Sequence, residues 1–298
     1  MTTLLTGATG FIGRRLLAPG WLPLVRRPVG LADECVGDLL DPASLARACE
    51  GVEAVAHCAG EVEASRFADA AQLWEVNVLG TQNLLEAAGH AGVRRVVLLS
   101  SVKTMAEPGR ACADENWAGE PQTAYGRSKR AAEEALWEAS ARFGMEGVVL
   151  RLPLVYGRGN RGNLWRMAQL IRRRRFPPLP EVGNPRSLVH VDDVAAAVRL
   201  TLEHPAAAGR TYIVADPQPY SSRELYDAIR DALGMAPVRW ALPAAVFRFA
   251  ARFSSRAEEI VDKLLGSACY SPARIERELG FRARVGLADG LREMLEEK

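Results

Sequence analysis

The chain predicts an α/β protein built on a doubly wound parallel sheet, and two observations lead there. Through the first half, short apolar runs alternate with longer helix-like segments, and the first run leads straight into a glycine-rich turn. The runs Leu4–Thr6, Leu22–Val25, Ala54–His57, Val96–Ser100 and Gly147–Leu150 read as strands. Ser44–Glu50, Trp74–Ala88 and Thr123–Phe143 read as helices between them. Continuously apolar strands separated by helices describe a parallel sheet covered on both faces. Such sheets bind ligands beyond the carboxyl ends of their strands, so functional residues are expected just after each run.

The second half is punctuated by Pro177, Pro178, Pro180, Gly183, Pro185 and Pro205. Residues 1–157 with about 186–216 are expected to form the larger domain, Ser187–Glu203 returning to it as a strand and a helix. Residues of about 158–185 and 217–298 are expected to form a smaller C-terminal substrate-binding lobe. At 298 residues, 48% hydrophobic and 25% charged, the chain can bury a sizeable core. A net charge of +2 gives no case for a nucleic-acid partner. No run of about 18 uncharged apolar residues occurs, so no membrane span is expected. The cysteines Cys35, Cys49, Cys58, Cys112 and Cys269 are odd in number and form no CxxC pair. They read as free thiols of a reducing, cytoplasmic setting. The four histidines are scattered, so no metal site is expected, and the strand-like opening Thr2–Leu5 leaves no room for a leader.

The turn after the first strand is Gly7-Ala8-Thr9-Gly10-Phe11-Ile12-Gly13. Glycine there lets the backbone approach a pyrophosphate, and the following helix offers free N–H groups. Thr9, Phe11 and Ile12 complete this dinucleotide cradle. The second strand ends in Val25-Arg26-Arg27, where an acid would hold a ribose 2′-hydroxyl and an arginine accommodates a 2′-phosphate. Arg26, with Arg14 after the last glycine, therefore tilts the cofactor from NAD toward NADP. Pro19-Gly20 stops the first helix early. Asp38-Leu39 follows a short third strand, and Asp38 is placed either to reach the adenine amino group or to cap the next helix. Cys58-Ala59-Gly60, small residues at a strand end, let a flat cofactor pass, while His57 reads as a packed strand residue.

Tyr125 and Lys129 stand at i and i+4 on one helix face. A tyrosine has an ordinary pKa near 10, and an adjacent ammonium favours its phenolate. Tyr125 can then move a carbinol proton, while Lys129 also donates to the nicotinamide ribose. Ser100 and Ser101 end the preceding strand, and Ser101 is the preferred partner of the substrate oxygen. Asn77 is placed to steady this region through its amide, or serves structure alone.

TGATGFIG at 6–13, Ser101 and Tyr125-x-x-x-Lys129, in this order, resemble an extended short-chain dehydrogenase/reductase. More narrowly, the chain resembles the NAD-dependent epimerase/dehydratase family, whose members often act on nucleotide sugars. Asn77–Asn83, Arg151–Gly157, Arg186–Asp193 and Arg277–Phe281 resemble further segments of that family. The resemblance implies a Rossmann fold, a catalytic Ser101–Tyr125–Lys129 triad and Pro153 on the strand passing the nicotinamide. It also implies an Arg186 that binds the substrate diphosphate, an Asn163 that supports the nucleotide, Lys103 beside the substrate, and a homodimer. Two departures narrow the reaction. Val102-Lys103 stand where dehydratases carry Asp-Glu, which speaks against dehydration, and Leu154 stands near where several sugar 4-epimerases carry asparagine. The expectation is 4-epimerisation or 4-keto reduction of a nucleotide sugar. An NADPH-dependent reductase or dehydrogenase of an apolar ketone or alcohol is the alternative, and a cofactor sensor without turnover a third. Arg172–Arg175 read as a solvated helix end. Ala244–Phe253 reads as core packing, ahead of a pocket lining, a dimer contact or a membrane-surface helix.

Overall fold

The computed structural model describes residues 1–62, 70–109 and 111–296. Its first half runs β1 (Thr3–Thr6), α1 (Gly13–Leu16), β2 (Trp21–Val25), β3 (Cys35–Val36), α2 (Pro42–Ala48), β4 (Ala54–His57), α3 (Ala70–Trp74), α4 (Gly80–His90), β5 (Arg95–Ser101), β6 (Cys112–Ala113), α5 (Ala124–Phe143) and β7 (Glu146–Leu152). The second half continues through β8 (Leu154–Tyr156), α6 (Asn163–Arg172), β9 (Leu188–His190), α7 (Val191–Glu203), β10 (Arg210–Ile213), α8 (Ser222–Ala232), α9 (Ala244–Ala251), α10 (Ser255–Leu265), β11 (Cys269–Tyr270), α11 (Ala273–Leu279) and α12 (Leu287–Leu295).

Seven strands form one parallel sheet in the order β10-β7-β5-β4-β1-β2-β3. The doubly wound α/β fold is therefore present, and its layers explain the apolar runs. Side chains alternate across a sheet. Leu4, Val55, Val96, Leu98 and Val149 pack under α2, α4 and α5, whereas Leu5, Ala56, Val97, Leu99 and Leu150 pack on the other face. Both faces are dry, so no strand needs polar alternation. Each fully buried Leu or Val contributes about 1.5–3 kcal/mol, and a one-residue slip would exchange the two faces.

The helix ends follow local chemistry. Thr123 caps the 20-residue α5 by accepting from Gly126 N, and Gly144, at φ 72°, closes it. Asp41, not Asp38, caps α2, its carboxylate accepting from Ala43 N. The Asp38 carboxylate instead accepts from Leu40 N at 2.9 Å. α1 has only four residues, ending before Pro19-Gly20. The sheet face it leaves bare is covered by Val194, Ala195, Val198 and Leu202 of α7.

The strand expected within Ser187–Glu203 forms as β9, but it pairs with β8 in a separate two-stranded ladder. The edge strand beside β7 is β10, a four-residue segment opening with Arg210-Thr211, too short and polar to announce itself. Asp193 accepts from Arg284 N and Val285 N, which ties the C-terminal segment to α7. A second core gathers Leu164, Ile171, Leu225, Ile229, Leu291 and Met294 from α6, α8 and α12.

Two expectations are corrected. No residue of α9 is buried, so Ala244–Phe253 is not core packing; only Phe247 turns toward the second core. Cys112 and Cys269 form a disulfide, so only Cys35, Cys49 and Cys58 are free. The pairing of β6 with β11 brings their Cα atoms to 4.4 Å across 157 residues of sequence, a separation no spacing rule reads. Opening such a long loop removes a constraint worth about 2–4 kcal/mol. A reductant should therefore lower the melting temperature of the wild type and leave that of Cys112→Ser unchanged in calorimetry.

Candidate active site

The strand order reverses at β1, whose neighbours are β2 on one side and β4 on the other. A crevice opens where the connections diverge, and both flanking turns are constrained. Gly7 has φ 69°, and a Cβ there would stand 2.7 Å from Ala59 N; a Cβ on Gly13 would stand 2.1 Å from Gly7 O. Gly10 N donates to Gly7 O, which folds the turn back on itself. Thr9 and Gly10 are exposed, and Phe11 and Ile12 half-buried at its rim. The glycines thus keep backbone accessible beside a helix start, a cradle whose donors fit a dinucleotide diphosphate.

A string of hydrogen bonds runs beneath this cradle. Ala59 N donates to Thr6 Oγ1, Thr6 Oγ1 meets His57 Nδ1 at 2.6 Å, and His57 Nε2 meets Thr81 Oγ1 at 2.9 Å. Thr81 Oγ1 donates to Asn77 O, which uses its only proton. Thr81 must therefore accept from His57 Nε2–H, so Nδ1 accepts from Thr6 and every donor points one way. His57 is a packed strand residue, and burial first, with nearby Lys129 second, lowers its pKa to about 3. Asn77 lies in a single π-helical turn, Glu75–Leu79, of the kind that recurs at functional sites. Its amide accepts from Glu61 N and donates to Glu61 O and Ser128 Oγ. It fastens the segment after β4 to α5, the steadying role its position suggested. Gly60 lies on this same spot, where a Cβ would be 3.8 Å from Lys129 Nζ.

Tyr125, half-buried, occupies the first turn of α5, and Lys129 follows one turn later, buried. Burial lowers the Lys129 pKa to about 8, with the Glu133 carboxylate opposing that fall. Ser100 donates to Glu133 Oε1 in the interior. The next residue of the strand, Ser101, points to the opposite face, where its Oγ accepts from Lys103 N at 3.2 Å. Glu133 also holds Arg151 through Nε and Nη2. Sequence reading missed this buried pair; the signal was its position one helical turn beyond Lys129. It missed Thr6 and Thr81 as well, since threonines carry no signature outside a fold.

The remaining candidate residues are spread over several segments. Arg26 is exposed directly beyond β2. Of the two acids that follow it, Asp33 and Glu34, Glu34 is occupied in accepting from Val29 N, Gly30 N and Leu31 N. Leu39 is anchored to α4, its carbonyl accepting from Asn83 Nδ2. Cys58 is half-buried after β4, and Pro153 separates β7 from β8. The Lys103 ammonium pairs with Glu107. Asn163 opens α6 and is exposed. Arg186 bridges Tyr220 and Ala268, and its guanidinium donates to Gly266 O at 2.8 Å. Ser101 thus ends β5, Tyr125 and Lys129 stand in the first turns of α5, and Arg186 lies on a separate segment beside Gly266. His190, Asp192 and Glu293 also come together, but Arg15 reaches both carboxylates, at 3.4 and 3.3 Å, and supplies the positive charge itself.

The model of the NAD-dependent epimerase/dehydratase family matches residues 3–215. The chain belongs to this family. Its members' shared chemistry makes it an enzyme, with the Rossmann architecture of an extended short-chain dehydrogenase/reductase. A UDP-glucose 4-epimerase of Vibrio cholerae is 28% identical, covering 97% of this chain and 93% of the relative. A 2-alkyl-3-oxoalkanoate reductase of Stenotrophomonas maltophilia is 26% identical over 99% and 98%. The solved structure of MoeE5 with UDP-glucuronic acid and NAD superposes with a TM-score of 0.79 at 25% identity, covering 99% and 98%.

The one-way hydrogen-bond string carries a spectroscopic consequence. Nitrogen NMR should find His57 as the neutral Nε2–H tautomer at every pH from about 4 to 8, the lower end following from its pKa of about 3. Titration near the ordinary histidine value of about 6.5 would contradict it.

Proposed function

We propose that this enzyme interconverts a carbinol and a ketone on a nucleotide sugar, by 4-epimerisation or 4-keto reduction, with NADP favoured over NAD. Arg186 carries the substrate reading. Its guanidinium is desolvated enough that burial lowers its pKa, yet no described carboxylate lies within ion-pair distance. A half-buried cation with only the more distant Glu107 and Tyr270 to favour its charge still lacks a close anion, and a guanidinium matches phosphate oxygens in a forked geometry. A diphosphate ligand would supply the missing charge. The UDP-glucose 4-epimerase relative supports the same substrate class.

The chemistry follows from three side chains. The bound nicotinamide supplies or accepts the hydride. Tyr125 moves the proton on the substrate oxygen, Ser101 hydrogen-bonds that oxygen, and Lys129 holds the Tyr125 phenolate in its charged form. Lys129 must keep its own charge to do so, and its pKa of about 8 sets the limit. Val102-Lys103 provide no acid pair for elimination of water. For the cofactor, Arg26 stands beyond β2 with Glu34 already engaged, which favours a 2′-phosphate. A second reading, NADPH-dependent reduction of an apolar ketone, draws on the half-exposed Leu154 and on the oxoalkanoate reductase relative.

Thermal melts with NAD, NADP and a panel of UDP- and dTDP-sugars test this directly, since ligands of the native state raise its melting temperature. A nucleotide sugar should shift the wild type and not Arg186→Met; no shift with any of them sinks the nucleotide-sugar reading. Arg26→Asp should reverse the NADP-over-NAD preference, by about tenfold or more in affinity, the 1.4 kcal/mol of one charged contact.

The alkaline limb of kcat/KM should fall as pH rises through about 8, where Lys129 loses its proton. Glu133→Gln removes the carboxylate that raises the Lys129 pKa, so the limb should move to lower pH. The same change leaves Arg151 buried and unpaired and should cost about 3–5 kcal/mol of stability. Tyr125→Phe should abolish turnover and keep the cofactor-induced melting shift.

A further inference from the structure

An exposed apolar face on α9 has no use in the chemistry above. Val246, Phe249 and Phe253 follow one another at three- and four-residue spacing, and Phe249 and Phe253 meet edge to face at 5.1 Å. Phe253 is 74% and Phe249 59% exposed, and Trp240, just upstream, is 62% exposed. Aromatic side chains of this size dominate interface energetics, and leaving several in water calls for a partner surface.

The sequence through this segment is one-signed in charge. Residues 232–257 contain Arg239, Arg248, Arg252 and Arg256 and not one Asp or Glu, so this segment carries +4 in a chain whose total is +2. Arg248 within α9 and Arg252 at its C-cap are both exposed, Arg252 lying about 90° and Arg248 about 130° around the helix from the centre of the aromatic face. The neighbouring carboxylates, Glu258, Glu259 and Asp262, belong to α10, which packs against α9, and Glu259 there pairs with Lys263.

We infer that the α9 face docks in the plane of an anionic lipid bilayer, the phenylalanines and Trp240 entering the headgroup boundary and the arginines meeting lipid phosphates. Amphipathic surface helices bind this way, by apolar burial together with attraction between basic side chains and anionic lipid. Tryptophan at the edge of the patch matches the interfacial preference of that side chain. No helix among the described residues is long and apolar enough to cross a membrane, so the association is peripheral. A second copy of the chain is the competing occupant. Two-fold pairing through this patch would bring the same arginines against each other, whereas a lipid surface supplies the opposite charge. α10, which packs against α9, runs into Gly266, whose carbonyl accepts from both Arg186 and the Asn184 amide.

The test is flotation of the purified full chain with vesicles of phosphatidylcholine alone and of phosphatidylcholine and phosphatidylglycerol in equal parts. The wild type should float with the anionic vesicles, at least about tenfold more tightly than with the neutral ones, and release as salt is raised. Phe249→Ser with Phe253→Ser, and separately Arg248→Gln with Arg252→Gln, should each weaken binding by about tenfold or more. Both double variants should keep the wild-type melting shift with cofactor, which shows that they fold. Failure of the wild type to float with anionic vesicles overturns the inference, as does equal flotation of wild type and variants. Sedimentation that finds a dimer abolished by the phenylalanine substitutions assigns the face to a second copy and overturns it too.

Discussion

The reversal of strand order at β1 is the constraint on which the rest of the molecule depends. It forces two turns, Gly7–Gly13 and Cys58–Gly60, into a contact so close that a single added Cβ at Gly7 would overlap Ala59. A contact that close leaves no room for a side chain at Gly7 and needs the backbone on both sides held still. The string Ala59–Thr6–His57–Thr81–Asn77 does this, and the Asn77 amide carries it on to Ser128 in α5. Because each hydroxyl in it has one proton and one direction, the string has one arrangement. The cofactor turn and the helix bearing Tyr125 and Lys129 are thereby parts of one rigid unit.

Charge is then placed where water is scarce. Lys129 sits buried within reach of the crevice, and the Glu133 carboxylate opposes the loss of its proton. Glu133 in turn is compensated by Arg151 and anchored by Ser100, adjacent to Ser101. The Lys129 end of the site is a balanced cluster in the protein itself. The Arg186 end is different: burial lowers its pKa, Tyr270 and Glu107 oppose that only at a distance, and among the described residues no carboxylate forms an ion pair with it. That asymmetry is what the proposed division between proton transfer and substrate recognition rests on.

Outside the crevice, two features depend on contacts between distant segments. The Cys112–Cys269 disulfide staples the segment between Ser101 and Tyr125 to the strand just past Gly266. The α9–α10 pair stands on the second core through Phe247 and Leu264 while the opposite side of α9 faces outward. Its aromatic residues were legible as helical, but their direction was not. A helix that is apolar on more than one side presents the same pattern whether it is enclosed or stands at an interface.

The sequence by itself determined the fold class, the five central strands and the order of glycine turn, serine, tyrosine and lysine along the chain. These signals are local: two-residue and 3.6-residue periodicity, backbone freedom and i, i+4 spacing act within a few residues of each other. The short β10, the pairing of β9 with β8, the disulfide across 157 residues, the shared role of His57 with two threonines, and the exposure of α9 were decided by tertiary structure alone. Each is a relation between segments far apart in the chain, and no local pattern encodes which distant partner the packing of the sheet will deliver.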